Sequence, residues 1–286
     1  MAHQINEEII ADYRKQLQRE EYAEGTVKKY LRDIQAFAAW AKGKEEQESV
    51  NVDKETAAGW KAYLVEAGYA PVTINGMLSS LNGFFRCVGW QECGVKFLKI
   101  QRRTFRDQDR ELNRAEYKRL LAMAEKLGNT RLMLLLETIC STGIRVSEVK
   151  YITVEVLGRK RADISLKGKI RTILLPGKLC KKLREYAKKH RIVSGEIFVT
   201  RNRKSMGRRQ IWGEMKRLCT AAQVSPTKVF PHNLRHLFAR TFYKSCRDIV
   251  KLADVLGHSS IETTRIYLIS TGETHARQIE KLGLVS

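Results

Sequence analysis

The segment 132–139 constrains the fold more than any other part of the sequence, because it is almost wholly apolar. Such a segment predicts a helix that is buried on all sides, which requires other helices around it. Gly143 is expected to end this helix. Just beyond it, Arg145 and Glu148 stand three residues apart and therefore share a face. An arginine beside so buried a helix is costly unless an anion meets it, and Glu148 alone could be that anion.

The charge of the chain indicates a polyanionic partner. Its 286 residues include 53 Lys and Arg against 31 Asp and Glu, a net charge of +22, which exceeds what solubility requires. Nucleic acid is favoured over a membrane surface, because the basic residues are spread along the chain and no apolar run approaches the roughly 20 residues of a spanning helix. Residues 1–8 have no signal-peptide apolar core. We therefore expect a cytoplasmic protein that binds nucleic acid.

The cysteines predict neither disulfides nor a metal site. They form no C-x-x-C pair, have no nearby histidine at zinc spacing, and mostly stand beside apolar helix positions. Free thiols in a reducing compartment are therefore expected, with no metal. The cysteines are Cys87, Cys93, Cys140, Cys180, Cys219 and Cys246.

The N-terminal part of the chain has the pattern of a small helical domain. Residues 5–88 carry apolar stripes that predict four helices. Lys28, Lys29 and Arg32 lie close together on the second of these helices. Such a group is either an ordinary solvated face or a face that contacts phosphates.

A basic segment separates this domain from the rest. We place the helical domain at residues 1–98, a linker at 99–111 and a second domain at 112–286, because apolar periodicity fails from residue 99. The linker contains Arg102, Arg103 and Arg106. It is either a plain connection or a segment that neutralises phosphates and lets the two domains close around a duplex.

The second domain mixes helices with strands. Strand character is shown by residues 152–157, 162–167 and 170–175, with Gly158 and Gly168 at the reversals. Lys167 therefore stands at the tip of a hairpin, where a lysine is usually only a solubilising residue. A basic loop at 201–209 offers Arg201 and Arg203 as candidate DNA contacts.

Two later stretches place polar side chains beside helix starts. A helix that begins at Pro231 puts His232 and Arg235 on one face. Near the end of the chain, Gly257 can end one helix, and Ser259 with Glu262 predicts a capping box that opens the next. His258 then lies in the turn, and Tyr267 follows about two turns later. Taken alone, Tyr267 could equally be a half-buried aromatic residue.

Together, five motifs in this order resemble the tyrosine recombinases, the phage-integrase and Xer family. They are Thr142-Gly143-Ile144-Arg145-Val146-Ser147-Glu148, Leu166-Lys167-Gly168, His232-Asn233-Leu234-Arg235-His236, Leu256-Gly257-His258-Ser259-Ser260 and Thr264-Arg265-Ile266-Tyr267. The resemblance covers residues 113–268, and the N-terminal helices resemble the family's core-binding domain more weakly. It implies a mainly α fold with a small antiparallel β-sheet. The implied architecture is a two-domain DNA clamp, with a four-helix SAM-like core-binding domain and a catalytic domain.

The resemblance also implies a role for each motif residue. Tyr267 would attack DNA and form a 3′-phosphotyrosyl link, while Arg145 and Arg235 grip the phosphate. His232 would accept a proton, His258 would donate a hydrogen bond to the phosphate, and Lys167 would protonate the leaving 5′ oxygen. Glu148 would orient the site. No cofactor is implied, because the covalent link conserves the bond energy.

Some alternatives stay open from the sequence. Only Lys169 and Ile170 separate Gly168 from Arg171, one residue fewer than in the family's usual pattern, so Lys169 is a rival general acid. Two other functions stay open: relaxation of DNA in the manner of a type IB topoisomerase, and non-catalytic DNA binding. The expected partners are double-stranded DNA carrying a specific site and three further copies of the chain in a tetramer. The apolar tail after Tyr267 is expected to dock onto a neighbouring subunit.

Overall fold

The computed structural model describes residues 3–43, 50–100, 108–166, 169–267 and 280–283. The chain divides into two compact units, Met1–Arg102 and Arg103–Ser286. Within the described residues, no helix is both long enough and apolar enough to cross a membrane.

The first unit is a bundle of helices, as the apolar stripes predict. Its helices are α1 (Glu7–Arg19), α2 (Glu24–Lys42), α3 (Lys54–Glu66) and α4 (Pro71–Cys87), followed by a 3-10 turn at Gln91–Cys93. The strands β1 (His3–Ile5) and β2 (Val50–Val52) pair antiparallel. The sequence did not predict these strands, because three residues are too few to show alternation. Aromatic rings of Phe37, Trp60 and Phe85 meet edge to face in the core.

A buried carboxylate ties α2 to α4 in this unit. Asp33 accepts hydrogen bonds from Lys29 (2.7 Å), Ser80 (2.8 Å) and Arg32 (3.0 Å). Burial would raise the pKa of Asp33, but the hydrogen bonds from Lys29, Ser80 and Arg32 lower it below its ordinary value. Lys29 also donates to the Gly76 carbonyl at 3.0 Å. Lys29 is therefore held against α4, whereas Lys28 pairs with Glu24 on the open face of α2.

The second unit is built around α6, which is the buried apolar helix of the sequence. Leu134, Leu135, Leu136 and Ile139 are completely or almost completely buried there. The elements around it are α5 (Arg114–Lys126), α6 (Thr130–Thr142), α7 (Val156–Arg159), β3 (Arg161–Leu166), β4 (Lys169–Leu174), α8 (Gly177–Lys189), α9 (Arg208–Ala221), α10 (Pro231–Cys246), α11 (Ile249–Leu256) and α12 (Ile261–Arg265). Short 3-10 turns cover Gln108–Arg110, Val146–Tyr151 and Pro226–Lys228.

Gly143 ends α6 as predicted, with φ at +65°. A side chain here would be strained by that φ. It would also meet the ring of Phe238 at 2.4 Å. The glycine therefore lets α10 approach the end of α6, which brings the segment carrying Arg145 next to the helix carrying Arg235.

The strand predicted at 152–157 is wrong. Ile152 follows the 3-10 turn Val146–Tyr151, and Val156–Arg159 forms the short helix α7. Ile152 and Leu157 are buried in the core from this irregular path, so their apolar character reports burial and not a strand. The remaining strands β3 and β4 do pair antiparallel, with Leu166 opposite Lys169.

Candidate active site

Arg235 is the centre of the polar cluster in the second unit. It lies on the buried face of α10 and is only 2% exposed. Its Nε donates to the Tyr267 hydroxyl at 3.4 Å, and its Nη2 donates to the Leu256 carbonyl and to His258 Nε2, both at 2.8 Å. Its Nη1 donates to the Gly143 carbonyl. This single guanidinium therefore joins the ends of α6 and α11 to the tyrosine.

Tyr267 is almost fully buried, with 2% of its surface exposed. Its ring lies parallel to that of His258, with 5.7 Å between centroids, and edge-on to that of His236 at 4.5 Å. The helix before it, α12, is capped by Ser260, whose hydroxyl accepts from Glu262 N. The predicted cap at Ser259 is therefore wrong by one residue, because Ser260 is the residue with the extended backbone of an N-cap.

His258 lies in the turn between α11 and α12, as predicted. An arginine can only donate, so His258 Nε2 accepts from Arg235, and Nδ1 carries the proton toward the Thr264 hydroxyl at 2.8 Å. Burial, followed by the positive charges of Arg235, Arg145 and Arg171, lowers the pKa of His258 to about 4. The imidazole is therefore neutral at neutral pH.

His232 lies in the first turn of α10, on the same face as Arg235. Its ring centroid is 6.2 Å from that of Tyr267 and 4.5 Å from that of His236. Burial, with smaller contributions from Arg235 and Arg145, lowers the pKa of His232. A neutral imidazole beside the phenol has a lone pair that can receive a proton.

Arg145 has a more open position than Arg235. Its Nη1 donates to Glu148 at 2.9 Å, and its backbone N–H donates to the other oxygen of Glu148 at 2.7 Å. The side chain of Arg145 is 43% exposed, whereas that of Glu148 is 5% exposed. Glu148 therefore holds Arg145 through its backbone N–H and its Nη1, and the rest of the guanidinium is partly exposed to solvent.

The cluster borders two basic clefts. A cleft of about 240 Å³ is lined by Arg145, Glu148, Ile164, Arg171, His258 and Thr263, among others. A wider cleft of about 1000 Å³ is lined by Arg145, His232, Arg235, Arg208, Arg209 and Trp212, among others. Two arginines at the edge of a positive cleft suit a phosphodiester, because guanidinium forks match phosphate oxygens.

Arg171 and His236 belong to this cluster, although the sequence motifs assigned them no role. Arg171 on β4 donates to both oxygens of Glu148 at 3.2 Å. Its pKa is lowered to about 10 by burial, against the opposing effect of Glu148. His236 could have been found from its spacing, because it stands one turn after His232 on the same helix.

The hairpin lysines and the arginines of the linker were also predicted as site residues. Lys167 lies outside the described residues, as do Arg102, Arg103 and Arg106. Lys169 begins β4. Of the other candidate DNA contacts, Arg201 and Arg203 line a cleft of about 490 Å³ with Arg131, Lys189 and His190.

The first unit brings together residues that the sequence did not connect. His3, Glu92 and Cys93 place their ligand atoms within 4.8 Å of one another, an arrangement that could hold a metal ion. Sequence spacing does not reveal this group, because 89 residues separate His3 from Glu92. A hydrogen bond between His3 and Glu92, together with stacking of His3 on Trp90 at 4.6 Å, accounts for the arrangement.

Comparison with known proteins gives matches to both units. The model of the "Phage integrase family" matches residues 110–273, and that of the "Phage integrase, N-terminal SAM-like domain" matches residues 10–92. Tyrosine recombinase XerD of Xanthomonas campestris pv. campestris is 28% identical, over 86% of this chain and 82% of that protein. Tyrosine recombinase XerA of Pyrococcus furiosus is 24% identical, over 98% and 96%. The fold is similar to that of the XerH site-specific recombinase bound to a palindromic difH substrate, with a TM-score of 0.68, 20% identity, and coverage of 89% of this chain and 80% of that one.

Proposed function

Since the chain belongs to the phage integrase family of tyrosine recombinases, enzymes of site-specific DNA recombination, we propose that Tyr267 is the residue that attacks DNA. The observation that carries this proposal is the hydrogen bond from the buried Arg235 to the Tyr267 hydroxyl, beside His232 and His258. A phenol with an ordinary pKa of about 10 is a poor nucleophile without a proton acceptor and a means to cancel phosphate charge. The cluster supplies both.

Arg145 and Arg235 bind the non-bridging oxygens of the scissile phosphate. Their charges meet the negative charge that grows as the phosphorus becomes pentacoordinate, so they stabilise the transition state more than the bound substrate. Glu148 fixes the orientation of Arg145. His232 accepts the phenolic proton, because its lowered pKa keeps it neutral.

The reaction exchanges one phosphoester for another. The Tyr267 oxygen forms a bond to phosphorus, the bond from phosphorus to the 5′ oxygen breaks, and a proton passes to that oxygen. We assign this proton to Lys167, with Lys169 as the alternative. The product is a 3′-phosphotyrosyl link, whose later attack by a 5′ hydroxyl reverses the chemistry and rejoins a strand without ATP.

Substrate entry requires an exchange of partners at Arg235. In the structure its N–H groups point to Tyr267, His258, Gly143 and Leu256. The two carbonyls hold the guanidinium in place, whereas the two side chains occupy the edge that a phosphate needs. Phosphate binding therefore displaces His258 Nε2 from Arg235, and a His258 that has gained a proton or turned its ring can then donate to the phosphate.

Double-stranded DNA with a specific recombination site is the partner we propose, bound by four copies of the chain. The net charge of +22 supports DNA binding. The helical residues 1–98 serve DNA binding and residues 112–286 serve catalysis.

The apolar tail after Tyr267, largely outside the described residues, docks onto a neighbouring subunit. Deletion of residues 272–286 should spare half-site binding and abolish the four-subunit complex, measured by native gel shift; normal recombination by the truncated chain would contradict this assignment.

A suicide substrate tests the central assignment. A nicked duplex carrying the cognate site traps the adduct, because the short cleaved strand diffuses away. Incubation in EDTA, denaturing electrophoresis and peptide mapping should place the DNA on Tyr267 through a 3′ phosphate. Tyr267→Phe should bind the duplex normally and form no adduct. Tyr243→Phe is the matched control, because Tyr243 packs in the same cluster, and it should form the adduct.

Other outcomes separate the alternative functions. An adduct that persists in Tyr267→Phe, or one linked through a 5′ phosphate, overturns the assignment. Relaxation of supercoiled DNA by the monomer without strand exchange would indicate topoisomerase-like activity. Binding without any adduct in the unsubstituted chain would indicate a non-catalytic DNA-binding protein.

A further inference from the structure

Arg171 forms a bridge between separate segments of the second unit. Its side chain on β4 is only 9% exposed. Its Nη1 lies 3.2 Å from each carboxylate oxygen of Glu148, and its Nη2 donates to the Val255 carbonyl at 3.0 Å. The same guanidinium therefore contacts the segment that holds Arg145 and the last turn of α11.

The aliphatic part of the Arg171 side chain packs directly against Gly257, where a larger residue would clash. A Cβ atom at position 257 would come within 2.3 Å of Arg171 Cδ and 2.8 Å of its Nε. Gly257 also has φ at +63°, which ends α11 and turns the chain into His258. Gly257 thus allows the chain to turn into His258 and leaves space for the side chain of Arg171. The position of Arg171 and that of the His258 turn therefore depend on each other.

These contacts connect three parts of the proposed chemistry. Glu148 also binds Arg145, the Gly257 turn carries His258, and β4, which carries Arg171 itself, begins at Lys169. Both Nη atoms of Arg171 donate to protein acceptors, and its buried Nε faces Gly257 and has no hydrogen-bond partner among the described residues, so Arg171 is not placed as a phosphate ligand. We propose that Arg171 is a positioning residue that fixes β4, the strand that begins at Lys169, in relation to Arg145 and His258, an inference that rests on the proposed function.

The fork of an arginine is needed for this bridge. A lysine at position 171 keeps the positive charge but is a point donor, so it can satisfy Glu148 or the Val255 carbonyl and not both in the same geometry. The hairpin should then shift in relation to the phosphate. A displacement of about 1 Å in a catalytic group costs on the order of 10²-fold in rate.

The test compares two substrates that differ at one atom. In a 5′-bridging phosphorothiolate the leaving thiolate needs no protonation, so a misplaced general acid no longer limits cleavage. Arg171→Lys should cleave the ordinary suicide duplex roughly 10- to 100-fold more slowly than the unsubstituted chain. On the phosphorothiolate most of this difference should vanish, as it should for Lys167→Ala or, if the hairpin register differs, Lys169→Ala. Arg161→Lys is the matched control, because Arg161 is an exposed arginine on the paired strand; it should cleave both substrates normally.

Several results would overturn the inference. One is normal cleavage of the ordinary duplex by Arg171→Lys; another is an equal defect on both substrates, which would indicate general structural damage or direct phosphate contact. Thermal unfolding and half-site binding of Arg171→Lys identify a damaged fold separately. Failure of the proposed function would look different, because an adduct would then persist in Tyr267→Phe or be absent from the unsubstituted chain.

Discussion

At the scale of residues, Arg145 and Arg235 have the same proposed partner but different surroundings. Arg235 is buried and donates hydrogen bonds to the carbonyls of Gly143 and Leu256 as well as to Tyr267 and His258. Arg145 is half exposed and is held by Glu148, which keeps Arg171 as a second partner. Of the two, Arg235 is the one whose side chain also binds backbone carbonyls, so we expect it to contribute more to folding, in addition to its proposed role in the chemistry.

Lysine substitutions should separate these two contributions. Arg145→Lys and Arg235→Lys should each slow cleavage by about 10² to 10³, because a point charge cannot reproduce the fork. Arg235→Lys should also lower the free energy of unfolding, by about 1 to 3 kcal/mol for each buried carbonyl that loses its donor. Arg145→Lys should change it by less than about 1 kcal/mol. Urea unfolding and single-turnover cleavage measure the two effects; equal destabilisation by both substitutions would contradict this picture.

The lowered pKa of His258 links folding to pH. Its pKa is about 4 in the folded chain against an ordinary 6.5, so between these values the unfolded chain binds more protons. The free energy of unfolding should therefore be constant in this respect above pH 6.5 and fall as pH is lowered toward 4. His258→Asn should show a shallower fall over this interval than the unsubstituted chain when both are unfolded in urea at a series of pH values. Identical pH profiles would show that His258 does not titrate in this way.

The sequence motifs alone identify most of the cluster, because each combines a rare residue type with a helix start or a turn. Arg171 could not be found in the same way. Its partners Glu148 and Val255 are 23 and 84 residues away, so no local spacing reports them. Gly257 was predicted correctly as a helix end, but its close approach to Arg171 depends on tertiary structure alone.

At the scale of elements, helices were easier to predict than strands. The apolar stripes of α1 to α4 act within a few residues, so sequence reports them directly. The segment 152–157 misled the prediction because burial in an irregular segment produces the same apolar run as a strand. Lys28 and Lys29 show a further limit of prediction from sequence. Both lie on α2, but the sequence does not reveal that Lys29 binds the buried Asp33 whereas Lys28 binds the exposed Glu24.

These two lysines form a matched pair on α2. Lys29→Met should lower the free energy of unfolding by about 1 to 3 kcal/mol, because Asp33 loses the charged donor Lys29 but still accepts hydrogen bonds from Arg32 and Ser80. Lys28→Met should leave the free energy of unfolding nearly unchanged, because the Lys28–Glu24 pair is exposed. Urea unfolding of the two variants measures the difference. Equal stability of both would contradict a structural role for Lys29.

At the scale of the whole molecule, charge is the property that sequence alone reports completely. A chain of net charge +22 gains much of its DNA affinity from released counterions, so affinity falls steeply with salt. Replacing Arg102, Arg103 and Arg106 by glutamine should lower the slope of log affinity against log salt by roughly 0.9 for each phosphate contact removed. Filter binding at several salt concentrations measures the slope. An unchanged slope would show that the linker does not contact DNA.

The burial of Tyr267 has a consequence for the fate of the reaction intermediate. A phosphotyrosyl ester can be attacked by a DNA hydroxyl or by water, and only the first outcome restores an intact strand. Tyr267, the proposed nucleophile, has 2% of its surface exposed and offers water little access. Strand rejoining should therefore far outpace hydrolysis as long as the rings of His236 and His258 stay against it. His236→Ala would open one side of this enclosure. Nicked DNA released without protein should then accumulate. This result would show that the rings around Tyr267 protect the intermediate from hydrolysis.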